Sequence, residues 1–94
     1  MQNNIAFSKI NTTSQIQIYP NPNYNNNISI EFSEYNNQNY TIRIVDLLGK
    51  ELFKTSAYGA KHEINSSQIP EGMYIISIES EGVLLKKEKL IIVK

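Results

Sequence analysis

Apolar residues recur at every second position through most of this chain, and a period of two admits strands while excluding amphipathic helices. Ile28, Ile30 and Phe32 alternate with Ser29, Glu31 and Ser33. Tyr40, Ile42 and Ile44 alternate with Thr41 and Arg43, and Tyr74, Ile76 and Ile78 with Ile75, Ser77 and Glu79. Successive side chains of an extended backbone point to opposite faces, so each triplet lines one side of a strand and is expected inward. Shorter runs at 15–19, 52–55 and 62–65 and a long one at 83–93 complete the set. Asparagine clusters separate them, Asn23-Tyr24-Asn25-Asn26-Asn27 and Asn36-Asn37-Gln38-Asn39. Asparagine tolerates the left-handed region and bonds its own backbone, so these clusters are turns. About seven short strands at regular spacing, with no helical period, predict an all-β fold: an immunoglobulin-like antiparallel β-sandwich.

Two turns can be read residue by residue. Asp46-Leu47-Leu48-Gly49 fits a type I turn closing a hairpin with a glycine bulge, which requires a positive φ at Gly49. Ile69-Pro70-Glu71-Gly72 places Pro second and Gly fourth in a turn. It sets the register of the next strand so that Tyr74 faces inward, where its hydroxyl needs a partner. Ser80-Glu81-Gly82 turns the chain into its last strand.

The stretch Tyr19-Pro20-Asn21-Pro22 marks a boundary. Two prolines one residue apart fix φ twice, remove two donors and press Tyr19 and Asn21 out of the helical region. The segment is expected to be extended, with Tyr19 buried as its anchor, and it cannot lie in a fully paired central strand. Before it, residues 1–14 are polar with no sustained period, as in a flexible linker or a cloning remnant. Residues 15–94 form the domain. If the first and last strands are neighbours, the proline segment helps decide which sheet edge stays open.

The last strand breaks the alternation. Leu84-Leu85 and residues 90–93 are apolar on both faces, and Lys86, Lys87 and Lys89 interrupt them. Such a strand is expected to be partly covered by its own sheet and partly left for a partner; edge lysines also discourage unwanted pairing.

Composition removes most chemistries. Nine basic residues balance nine acidic ones, so bulk charge gives no footprint for nucleic acid. The same balance gives little protection against self-association through an edge strand. Cysteine is absent, so neither disulfides nor thiolate chemistry is available. The longest apolar run is far too short to cross a membrane as a helix, and residues 1–4 lack the basic and apolar regions of a signal peptide. The single His62 has no ligand spacing around it and reads as a surface or turn histidine. The only aspartate, Asp46, belongs to its turn. No paired carboxylates, nucleophile motif or phosphate loop occurs, so no enzyme activity and no cofactor is expected. Tyr24, Tyr35 and Tyr58 fall in loops; were they to converge, the chain would read instead as a stand-alone immunoglobulin-like adhesion or carbohydrate-binding module.

Four landmarks in order resemble a known family. Tyr19-Pro20-Asn21-Pro22 is similar to the opening of the type IX secretion system C-terminal sorting domain, type A. Asp46-Leu47-Leu48-Gly49-Lys50 resembles that family's D-x-x-G-[KR] hairpin. Residues 69–75, with Gly72 and Tyr74, resemble its L-x-x-G-x-Y segment, with Ile69 in place of the usual leucine. Residues 87–94 resemble its basic-apolar final strand. The resemblance spans residues 15–94 and implies a seven-stranded immunoglobulin-like sandwich that acts as a signal.

It implies further that the domain follows a cargo exported to the periplasm of a Bacteroidetes cell and destined for the surface or medium. The outer-membrane type IX machinery would recognise it, without membrane insertion, and a sortase-like peptidase would remove it in the linker before Tyr19. On this reading Lys87, Lys89, Leu90, Ile91, Ile92, Val93 and Lys94 form the recognition element, through edge-strand pairing or a presented terminal carboxylate. Tyr19, Pro20, Asn21, Pro22, Asp46, Gly49, Lys50, Gly72 and Tyr74 are structural.

Overall fold

Alternation becomes two layers in the computed structural model, which describes residues 16–33 and 39–94. The expected linker at 1–14, Tyr35 and residues 36–38 of the second asparagine turn lie outside the described residues. Seven strands follow in order: β1 (Ile16–Tyr19), β2 (Asn27–Phe32), β3 (Asn39–Asp46), β4 (Glu51–Tyr58), β5 (Lys61–Asn65), β6 (Gly72–Ser80) and β7 (Val83–Ile92). One sheet has the order β1-β2-β5 and the other β4-β3-β6-β7. All five pairings are antiparallel. This is the predicted β-sandwich.

Among the described residues, sixteen buried apolar side chains form one cluster between the sheets, and eleven of them are isoleucine. Isoleucine's branch at Cβ suits a pleated, half-buried surface, so a single residue type satisfies both strand preference and core filling. The three predicted triplets all point inward. Ile28, Ile30, Ile42, Ile44, Ile76 and Ile78 are fully buried, and Phe32 stacks on Tyr40 with ring centroids 4.1 Å apart. Burial raises the Tyr40 phenol above its ordinary pKa.

The Asp46 turn forms as expected, whereas the hydrogen-bonded turn before β6 lies earlier than expected, with the Ile69 N–H donating to the Ser66 carbonyl at 3.0 Å, and residues 69–71 only bend. Gly49 has φ 91°, its N–H donates to the Asp46 carbonyl at 3.0 Å, and the Asp46 N–H donates to the Lys50 carbonyl at 2.9 Å. Asp46 Oδ1 also accepts from the N–H groups of Leu48 and Lys50 at 2.9 and 2.8 Å. One side chain therefore organises the whole hairpin loop. The Tyr74 hydroxyl donates to the Pro70 carbonyl at 2.6 Å, holding the bend that leads into β6. Glu81 and Gly82 both have positive φ, as a two-residue hairpin loop requires.

Three further expectations change. Tyr19 is not buried: with Ile16 and Ile18 facing the core, period two turns Tyr19 outward, where it is 37% exposed. It is anchored instead by its hydroxyl, which donates to Glu31 Oε1 at 2.8 Å; that bond, and then partial shielding from water, raise its pKa. Tyr58 is the last residue of β4 rather than part of a loop, because β4 runs three residues past 55 to pair with β3 along its length. The proline segment is bent rather than extended, and both the Tyr19–Pro20 and Asn21–Pro22 bonds are cis. The chain leaves β1 in one sheet and arrives beside β7 in the other, where Asn23 bridges Ile92 in parallel.

Candidate recognition surface

The residues singled out on β7 divide by face. Leu90 and Ile92 lie opposite Tyr74 and Gly72 and are essentially fully buried, so they hold the strand to the core. Lys87, Lys89 and Ile91 lie opposite Ser77, Ile75 and Met73 on the solvent side of the four-stranded sheet. Both lysines are exposed and neither has an ion pair among the described residues, whereas Lys86 pairs with Glu88 at 3.6 Å. Val93 is exposed. Lys94 folds back: its ammonium donates to Asn26 Oδ1 and to the carbonyls of Ser66 and Ser67 at 3.1–3.3 Å. Its N–H donates to Glu71 Oε1.

The edge of β7 away from β6 is occupied along residues 89–93. The Asn23 N–H donates to the Ile91 carbonyl at 2.7 Å, and the Val93 N–H donates to the Asn23 carbonyl at 2.8 Å. The Asn21 carboxamide completes the strap: Nδ2 donates to the Lys89 carbonyl at 2.6 Å and to Glu88, while Oδ1 accepts from the Ile91 N–H at 3.1 Å. Further back, the register between β6 and β7 slips, leaving Leu85 without a partner, and such a bulge spoils an edge for pairing. The first and last strands are not neighbours, since β1 and β7 lie in different sheets; the proline segment itself crosses from one sheet to the other. The segment closes the edge at 89–93.

Asn23 fastens that strap. It is 1% exposed, yet its Nδ2 donates to the Asn27 carbonyl at 2.9 Å and its Oδ1 accepts from the fully buried Ser66 hydroxyl at 2.9 Å. Neither Asn23 nor Ser66 was singled out from sequence. The only local signal is a carboxamide just after the second proline, in a stretch where asparagine is common.

With the edge closed, the outer face of the four-stranded sheet carries the unsatisfied chemistry. Register builds rows across it: Lys54, Arg43, Ser77, Lys87, then Glu51, Val45, Ile75, Lys89. Arg43 bridges Glu51 at 3.1 Å and Glu79 at 3.0 Å, and these bonds, Glu51's first, raise its pKa. Both acids of the face are thereby engaged, and Lys54, Lys87 and Lys89 have no ion pair among the described residues. Half-buried Ile75 and Ile91 and exposed Met73 lie among them.

The tyrosine platform does not assemble from its described members. Tyr24 follows Asn23 beside Ile92, at the end of the sheet where Asp46 and Gly72 lie, whereas Tyr58 pairs with Asn39 at the other end of β3. Seven residue steps along β3 separate those ends, roughly 23 Å at the rise of a strand. His62 lies within β5 opposite Ile30, half-buried.

A family model described as the secretion system C-terminal sorting domain matches residues 17–94. Among solved structures, the chain is similar to PorZ, an essential bacterial surface component of the type-IX secretion system of Porphyromonas gingivalis. The TM-score is 0.65 with 15% identity, and the match covers 88% of this chain and 12% of that one. At such identity the likeness speaks for the fold alone. No curated protein matches.

Proposed function

We propose, for a chain that belongs to the type IX secretion system C-terminal sorting domain family, that its folded form is the address by which the outer-membrane machinery takes up an attached cargo. The family is a sorting signal and not an enzyme. The observation that carries the reading is the match over residues 17–94. The geometry adds support: the family-like segments at 19–22, 46–50 and 69–75 all frame β7. The first straps its edge, the second builds a hairpin at the end where it finishes, and the third leads into β6 beside it.

The surface offered to the machinery would be Lys87, Lys89, Ile91 and Val93, with Lys94 held against the β5–β6 connection, while Leu90 and Ile92 keep the strand seated. Pairing along the edge at 89–93 would require the Asn21–Asn23 strap to leave, so recognition through side chains is favoured. The cargo would precede the domain, pass through the periplasm and reach the surface or medium. A sortase-like peptidase would cut before Tyr19, upstream of the strap.

Fusing residues 15–94 behind a signal peptide and a reporter tests this. Export is expected in a type IX-competent strain and lost in a deficient one, and removal of residues 89–94 should abolish it. Export that is equal in the two strains contradicts the proposal.

A further inference from the structure

The hairpin tip between β3 and β4 is apolar without a structural need to be. Leu48 is 94% exposed and Leu47 60% exposed, while the loop itself is held by Asp46 and by the positive φ of Gly49. A single exposed leucine means little, but a cluster of them means more. Asp46 pairs with Tyr74, Met73 with Ile91 and Gly72 with Ile92. The tip therefore leaves the sheet at the end where β6 begins and β7 finishes. Met73 is 46% exposed and Val93 41% exposed at that same end, beside half-buried Ile75 and Ile91.

Charge narrows the occupant. Lys50 and Lys89 at this end have no ion pair among the described residues. The neighbouring carboxylates are engaged: Asp46 by its loop, Glu51 by Arg43 and Glu71 by the Lys94 N–H. The strap and the bulge remove backbone pairing as the means of contact along β7. What remains is an apolar, cation-rimmed surface.

We propose that the Leu47-Leu48 tip, together with Met73, Ile75, Ile91 and Val93, docks into an apolar recess bordered by carboxylates on a protein of the secretion machinery. This rests on the sorting reading and extends the recognition surface from β7 to a hairpin remote from it in sequence. Aliphatic side chains anchor the contact, and Lys50 and Lys89 orient it from the rim.

The test uses the reporter fusion with Leu48→Glu, Leu48→Ser, the pair Lys50→Glu with Lys89→Glu, and Leu84→Ser as a control at the far end of the sheet. Thermal unfolding of each purified chain should be unchanged for the Leu48 variants, whose side chain has almost nothing to lose. Export is expected to fall about tenfold with Leu48→Glu, the loss of one interface anchor. It should fall less with Leu48→Ser, fall with the charge-reversed pair, and hold with Leu84→Ser. Unchanged export in Leu48→Glu, while removal of residues 89–94 abolishes it, overturns this proposal and leaves the sorting reading standing. Insensitivity to both overturns the sorting reading itself. If the purified chain self-associates, Leu48→Glu makes it monomeric and export persists, the occupant is a second copy and the proposal fails.

Discussion

At the residue scale the fold turns on carboxamides more than on charges. Asn23 joins the strap, the β2 start and the β5–β6 connection, because an amide offers a donor to the Asn27 carbonyl and an acceptor to the Ser66 hydroxyl at once. Aspartate has the shape but not the donor. Asn23→Ala should cost about 2–3 kcal/mol, since it strands a buried hydroxyl and a carbonyl; urea unfolding of the two proteins measures it. A loss below 1 kcal/mol would mean that other groups or water replace the amide. Alternation could not have disclosed this residue, since it reports which face a side chain takes and says nothing of bonds between distant segments. The turn at Asp46 was legible because all its partners are local: every bond it makes lies within four residues.

At the element scale, strand existence followed from period two, and the core-facing triplets followed with it. Edges did not. Whether β7 is open depends on a segment far from it in sequence, and the double proline indicated a boundary without indicating a destination. The same locality explains Tyr58, whose place in β4 is fixed by pairing with Asn39. The strap has a direct signature in amide exchange. Asn21→Ala removes the acceptor of the Ile91 N–H but leaves the backbone bonds of Asn23 intact. Native-state exchange followed by NMR should therefore speed up at Ile91, with the Val93 amide little changed. Equal protection at Ile91 in both proteins would show that the Asn21 carboxamide does not guard the edge.

At the scale of the whole molecule, the landmarks quoted for the family resemblance do structural work around one strand. The proline segment covers its edge, the bend before β6 leads into the strand that pairs with it, and the Asp46 hairpin stands at the end where it finishes. Family and fold class were legible because they rest on the order of short motifs and on periodicity. The surface was legible only in part: Lys87 and Lys89 could be named, but the rows that place them beside Ile75, and the hairpin beside Met73, exist only once register is fixed. Leu47 and Leu48 belong to a turn, and their exposure gains meaning only from their neighbours across the sheet. The central claim is that the machinery meets this outer face at the end of β7. Site-specific photo-crosslinking in cells exporting the reporter fusion tests it most directly. Probes at positions 48 and 89 should trap an outer-membrane type IX component, and probes at 17 and 58 should not. Trapping from 17 or 58, with none from 48 and 89, would contradict the account.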